Sequence, residues 1–391
     1  MFVASAAATA AQAPERVLLA TEGEGYLETV DGYRVLHLKG TPEDMGRQHG
    51  CLLKEAVVAN CTYLLTGGER GVEPLWRSLA GGVLNAVFRG KMPDRYVREM
   101  HALAKAAGLA PNAVIACNLV PELFHCSGFA LLSKATATGD LYHGRVLDYG
   151  VDLRLQEHAV LIIQEPNGRQ PFVNVSYAGF VGSVTGMNTA GVSIGEMGGG
   201  GVGQWTGVPM SLLVRMALED ARTLDQAVAV FTDTPRTCEY YYVIADAKAD
   251  SAAGLWATPT QLLRLGPGER HERLPTPVEH TVILSAGERY GRLVERIRDG
   301  FGRFTEEKAV RLMDGPVAMK SNLHDVLMVP GKGVVYVANA ARDGAPAWQQ
   351  TYRQFNIRRL MRQRPPEPRR KPRAVTVEPP PPPSQPRIVS P

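Results

Sequence analysis

The stretch Cys126 to Tyr149, CSGFALLSKATATGDLYHGRVLDY, decides how this chain of 391 residues is read. Cys126-Ser127-Gly128-Phe129-Ala130-Leu131-Leu132 is a short apolar run of the length and composition of a buried strand. Thr138-Gly139-Asp140 supplies turn residues, and Leu141 to Tyr149 is the predicted returning strand. Antiparallel pairing of the two brings Arg145 and Asp148 back beside Cys126. Residues three apart on an ideal strand face opposite ways, so Asp148 is expected at the strand end or beyond a bulge.

Upstream, residues 25 to 40 read as short strands, with Tyr33-Arg34-Val35-Leu36-His37-Leu38 alternating in period two. Thr41-Pro42-Glu43-Asp44 predicts a helix start, and that helix should run towards Leu64-Leu65. A second helix is expected from Arg95 to Ala107, stopped by Gly108. Downstream, strand signals continue in Ala159 to Ile163, Pro171 to Ser176 and a Gly-punctuated hairpin from Val181 to Ile194. Two helices follow, one opening at Pro209 and one at Thr223-Leu224-Asp225-Gln226. Strands resume at Tyr240 to Ile244 and Val334 to Ala338, with a helix from about Arg289 to Arg298 between them. This order lacks βαβ alternation and predicts a layered α+β fold.

Four divisions follow: a leader over 1–24, a mainly helical segment over 25–125, a catalytic body over 126–362, and a Pro/Arg-rich tail over 363–391. The tail holds Pro379 to Pro383 and cannot pack a core. Ala11-Gln12-Ala13 looks like the end of a signal peptide, yet a basic start and a long apolar core are missing and Pro14 follows. Export and cytoplasmic residence stand even.

The chain is 45% hydrophobic and 21% charged, the composition of an ordinary globular protein, and no apolar run reaches the ~20 residues of a membrane span. From Ile357 onward nine basic residues face two acidic ones, so the tail carries +7 of a net +4 and leaves −3 on the remainder. That balance gives no electrostatic reason for a nucleic-acid partner. Five cysteines with irregular spacing and no C-x-x-C pair suit neither a disulfide framework nor a zinc site. No metal or other cofactor is expected, and self-association of the chain is left open.

Chemistry concentrates in three pieces: Cys126, Arg145-Val146-Leu147-Asp148-Tyr149, and Gly186-Met187-Asn188. A cysteine is a strong nucleophile because some thiolate exists near neutral pH. It needs a base, a group to orient that base, and donors for the developing oxyanion. Taken singly, each residue also has a bland reading: a buried small hydrophobe, a surface ion pair, a turn asparagine. The run Gly198 to Gly201 is no phosphate-binding fingerprint and is expected at a pocket rim.

Together the three pieces resemble the choloylglycine-hydrolase and penicillin-acyltransferase group of N-terminal-nucleophile (Ntn) hydrolases. They are most similar to the acyl-CoA:6-aminopenicillanate acyltransferase-like proteins, peptidase family C45. Leu38 to Gly50, Ser285-Ala286-Gly287-Glu288-Arg289-Tyr290 and Asn322-Leu323-His324-Asp325-Val326 are further similar stretches. The resemblance implies a four-layer αββα sandwich. It also implies a precursor that cuts itself between His125 and Cys126 into α and β fragments that stay associated. The freed α-amine of Cys126 would be the base, Asp148 its holder, Arg145 the group lowering the thiol pKa, and Asn188 an oxyanion donor. The implied reaction takes a small-molecule linear acyl amide through an acyl-Cys126 intermediate to water or an amine.

The family's second asparagine has no counterpart around Arg270-His271-Glu272-Arg273, which leaves His271 and Asn322 as stand-ins. Ser285 and Arg289 match a family S-x-x-x-R pattern. Two other readings remain: a conventional cysteine hydrolase with a base among His125, His143, His271 and His324, and a non-catalytic binding protein on the same scaffold.

Overall fold

The computed structural model describes residues 14–66, 87–88, 90–120, 125–201 and 203–367, with His125 described in its backbone alone. Most of the expected tail, and the first thirteen residues of the expected leader, lie outside that set. Strands β1 (Arg16–Glu22), β2 (Gly25–Val30) and β3 (Tyr33–Gly40) form an antiparallel meander. Residues 16–22 therefore depart from the expected leader. Their backbone pairs with β2 from Arg16↔Val30 to Glu22↔Gly25, and Arg16 makes an ion pair of 2.7 Å with Glu28.

Helix α1 (Pro42–Leu52) starts at the predicted cap, where Thr41 Oγ1 accepts from the Asp44 N–H and the Asp44 carboxylate accepts from the Thr41 N–H. The single helix expected to reach Leu65 is broken at Leu53, whose φ of −119° is non-helical, and restarts as α2 (Lys54–Thr66). Helix α3 (Asp94–Ala107) ends at Gly108, which takes the left-handed φ of 80° that glycine accepts without strain. A short α4 (Pro111–Asn118) then leads towards β4 (His125–Leu131).

After β4 come β5 (Tyr142–Asp148), β6 (Ala159–Pro166), β7 (Phe172–Tyr177), β8 (Thr185–Asn188) and β9 (Val192–Gly198). Helices α5 (Met210–Asp220) and α6 (Leu224–Asp233) precede β10 (Tyr240–Asp246), β11 (Ser251–Ala257), β12 (Leu262–Leu265) and β13 (Thr281–Leu284). The chain continues with α7 (Gly287–Gly300), α8 (Glu306–Val310), β14 (His324–Val329), β15 (Val334–Asn339), β16 (Arg353–Asn356) and α9 (Ile357–Arg362).

Ten strands make one sheet, β1-β2-β3-β6-β7-β8-β9-β10-β11-β12, and six make the other, β13-β4-β5-β14-β15-β16. The sheets meet face to face, with β4 and β5 against β9 and β10. Helices α1, α5 and α6 cover the outer face of the larger sheet, and α7 and α8 that of the smaller. The architecture is the α+β sandwich of four layers, αββα, that the sequence led us to expect. Apolar residues such as Met197, Val243, Val282 and Leu284 fill the space between the sheets, each worth about 1.5–3 kcal/mol when fully buried.

The segment before Cys126 is an integral part of this body, not a separate helical unit. Strand β3 runs parallel to β6 inside the larger sheet, from Val35↔Leu161 to Gly40↔Pro166. On α5 the fully buried Arg215 bonds Glu99 of α3 (2.7 Å) and Glu219 (2.8 Å). A buried cation without those carboxylates would be costly, so this triad fixes α3 against α5.

Candidate active site

Cys126 is the second residue of β4 and pairs with Leu147 across the β4–β5 ladder. The register runs from His125↔Asp148 to Leu131↔Tyr142 without a shift, so no bulge intervenes. Asp148 is the last residue of β5, the strand-end position that pleat geometry requires. Arg145 and Asp148 thus leave opposite faces of one strand, and each finds its own partners.

Arg145 points between the sheets and is fully buried. Its Nε and Nη2 donate to the Glu196 carbonyl at 3.1 and 2.8 Å, and Nη2 reaches Glu196 Oε2 at 3.3 Å. Its aliphatic stem lies over Gly195, where a Cβ would come within 2.7 Å of Arg145 Cγ. Burial works against the guanidinium's charge, but Cys126 and Glu196 beside it outweigh that and hold its pKa above the ordinary value.

Asp148 Oδ2 is bonded by Arg289 Nη2, and Oδ1 accepts the Met319 N–H at 3.0 Å. Arg289 itself donates from Nε to the Val317 carbonyl at 2.6 Å. Burial raises the Asp148 carboxyl pKa, and the Arg289 charge and the Met319 N–H only partly offset it. Ser285, at the foot of α7, shares a 2.7 Å hydroxyl contact with Ser127 next to the nucleophile. This clasp ties the turn before α7 to β4, and α7 carries Arg289.

The Cys126 side chain is buried yet lines a cavity of about 740 Å³. Met197, Leu255, Leu263, Leu274, Leu284 and Met319 give that cavity an apolar wall, and Ser285, Arg289 and His271 also reach it. Burial pushes the Cys126 thiol up to about 12, Arg145 pulls it down, and Glu196 and Asp148 push it up again. In the uncut chain this sulfur is a poor thiolate, so a base must take its proton during attack.

Not every residue singled out from sequence reaches this place. Asn188 donates to the carbonyls of Leu218 (3.0 Å) and Ala221 (2.7 Å), while its Oδ1 accepts from the N–H groups of Ala190 and Val192 (3.0 Å each). Both ends of its amide are committed to backbone, and it does not line the cavity. Asn322 is fully buried, bonding Asp325 Oδ1 at 2.9 Å and the Trp348 N–H at 3.0 Å. Hairpin chemistry puts Gly-Met-Asn at a turn, but which way the amide faces depends on α5, far away in sequence.

The histidines divide in the same way. His143 bonds Ser193 Oγ at 2.8 Å, and His324 bonds Tyr177 (2.9 Å) and Thr185 (3.1 Å). Both are fully buried, and burial drives His143 down to about 3 and His324 well below the ordinary value, with Arg145 adding to each. Neither is a base for Cys126. His271 lines the cavity, with Nδ1 accepting the Arg273 N–H at 3.2 Å. The His125 side chain lies outside what the structure describes. Among the described residues, no group of three or more His, Cys, Asp or Glu is placed to hold a metal.

Glu196 was not singled out from sequence. The signal was present in Val192-Ser193-Ile194-Gly195-Glu196-Met197, where an acid interrupts a fully buried strand and so requires a buried cation.

Residues 136–264 match the family described as acyl-coenzyme A:6-aminopenicillanic acid acyl-transferase. The matched stretch contains Arg145, Asp148, Glu196 and much of the cavity wall. Over 246 residues the chain is 24% identical to protein dcd1B of Dictyostelium discoideum, covering 56% of this chain and 49% of that protein. It is 25% identical over 185 residues to acid ceramidase of Rattus norvegicus, covering 40% and 45%. The chain spans about half the length of the curated relatives it matches. A solved structure of the Caenorhabditis elegans N-acylethanolamine-hydrolyzing acid amidase ortholog is also similar. It has 18% identity and a TM-score of 0.43 over 59% of this chain and 99% of that one.

Proposed function

We propose that this chain is a self-processing cysteine amide hydrolase or acyltransferase of the Ntn type, with Cys126 as nucleophile. The observation that carries the reading is the setting of Cys126. It stands on β4 at the wall of an apolar cavity, with Arg145 on one side of β5 and the Asp148–Arg289 pair at that strand's end. The acyl-transferase family match and the names of the relatives, acid ceramidase among them, support amide chemistry.

In the first step the Cys126 sulfur attacks the His125 carbonyl carbon, its proton passing to the departing Cys126 nitrogen. The peptide C–N bond breaks and a thioester forms. That break frees the α-amine of Cys126, and water then hydrolyses the thioester to the His125 carboxylate and the free thiol. An α-amine has a pKa of about 7.7–8.0 and can accept the thiol proton near neutrality. His125 pairs with Asp148 across the ladder, so the new amine arises beside that carboxylate, which holds it. Arg145 favours the thiolate electrostatically.

In the second reaction the amine takes the thiol proton as sulfur attacks the acyl carbonyl of the substrate. The tetrahedral intermediate collapses, the amine leaves with that proton, and the acyl group stays on Cys126. Water or a second amine then takes it. The apolar cavity wall suits the acyl half of a small-molecule amide.

Intact mass under denaturing conditions tests this. A cut after His125 gives pieces of 125 and 266 residues. Wild type is expected as those two masses and Cys126→Ala as a single chain. A folded wild type that stays in one piece removes the α-amine base and overturns the mechanism.

A further inference from the structure

One wall of the cavity departs from its apolar character. Glu239 lines it, two residues before Tyr241 on β10, and Tyr241 pairs directly with Trp256 of β11. Glu239 Oε1 accepts from the Tyr241 hydroxyl at 2.8 Å and from Trp256 Nε1 at 2.7 Å, with Arg273 Nη1 at 3.4 Å. Two strand-borne donors therefore hold this carboxylate in place. A floppy surface acid lacks such a frame. Among the described residues, the hydrogen bonds that fix it fall on Oε1.

Two glycines of the rim run, Gly199 and Gly200, lie against Glu239. A Cβ on Gly199 would lie 2.5 Å from the Glu239 carbonyl oxygen and 2.9 Å from its Cγ, and one on Gly200 would lie 3.0 Å from Oε2. Side chains at these positions would displace Glu239 or cover its second oxygen. Glycine leaves both alone.

A cation already marks the place. Arg273 sits on the turn closed by the His271–Leu274 bridge, its guanidinium 5.8 Å over the Trp256 ring and bonded to the Tyr241 hydroxyl at 2.9 Å. The Arg273 side chain is 60% exposed, and so open an ion pair contributes little to stability. A ligand cation that displaces it meets the same carboxylate and the same aromatic face.

We infer that Glu239, Tyr241 and Trp256 form a subsite for a positively charged amine at the far end of the substrate's acyl chain. The inference rests on the acyl-transfer reading above for the position of the scissile bond at Cys126. Apolar wall and anionic end together select an ω-amino acyl group over a plain alkanoyl one.

Calorimetric titration tests the subsite without turnover. Octylammonium, 1-octanol and octanoate are titrated into wild type, Glu239→Gln and Arg273→Ala. The expected result is octylammonium at least about tenfold tighter than 1-octanol in wild type, with that ratio lost in Glu239→Gln. Arg273→Ala, which frees the site, is expected to tighten octylammonium, and it decides the matter if Glu239→Gln folds poorly. Equal binding of octylammonium and octanol overturns the subsite, as does octanoate binding tightest or discrimination surviving in Glu239→Gln. Hydrolysis of 9-aminononanoyl 4-nitroanilide by the same samples reports on acyl transfer separately. Loss of that activity with the binding pattern intact rejects the catalytic reading and leaves the subsite standing.

Discussion

Replacing Arg289 by leucine is expected to cost the folded protein about 3 kcal/mol at pH 8 and much less at pH 5. The Asp148 side chain is fully buried and that of Arg289 is 17% exposed, so the pair is a nearly buried one. Removing one partner of such a pair typically costs about 3–5 kcal/mol, because the remaining charge stays desolvated. The partial exposure of Arg289 puts the effect at the low end. In the variant Asp148 keeps the Met319 N–H at 3.0 Å and loses the charge facing it. The Asp148 carboxyl is already raised above its ordinary value in the folded chain, and losing Arg289 raises it further. A folded state that binds the proton more tightly than the unfolded one loses stability as pH rises between the two pKa values. Conversely, acidification protonates Asp148 in the variant and relieves the buried charge. Urea unfolding of wild type and Arg289→Leu at pH 8 and pH 5 measures the difference. Equal stability at both pH values, or a deficit that grows on acidification, refutes the assignment of Asp148 and Arg289 as a coupled pair.

Two further outcomes follow from the geometry. Asn188→Ala removes four hydrogen bonds to backbone and should lower stability by about 2–4 kcal/mol, while cleavage after His125 proceeds once the protein is folded; intact mass at low temperature checks this, and a stable but uncut variant would restore Asn188 to the chemistry. In Cys126-containing protein kept uncut by His125→Pro, iodoacetamide labelling of Cys126 should lag far behind the exposed Cys51 at pH 8 and accelerate towards pH 11, because its thiol stands near 12. Peptide mapping reads both rates, and fast labelling of Cys126 at neutral pH would contradict the burial argument.

The sequence by itself determined the local chemistry of this protein. The apolar run after Cys126 and the turn at Thr138-Gly139-Asp140 defined β4 and β5, and period-two geometry allowed Asp148 the strand's end or a place beyond a bulge, of which the structure has the first. The capping residues Thr41 and Gly108 marked a helix start and a helix end because those signals act within one turn of backbone. Residues 16–22 fall within the expected leader yet pair with β2, and an edge strand is recognisable only through the partner it pairs with.

Tertiary structure decided everything that depends on which face meets which. Asn188 sits in the hairpin that its motif demands, yet its amide is taken by carbonyls at the end of α5. Glu196 lies seventy residues from Cys126 and meets Arg145 only because β9 packs across β5. Arg289 reaches Asp148 from a helix more than a hundred residues later, and the Ser127–Ser285 contact helps to hold it there. Glu239 and Tyr241, Trp256, and Arg273 come from three separate stretches of sequence and share one cavity wall only in the folded chain. Backbone propensity and side-chain period are local quantities and can be read along a chain. Burial, charge pairing and the direction of a hydrogen bond belong to pairs of residues, and only the folded arrangement chooses the pairs.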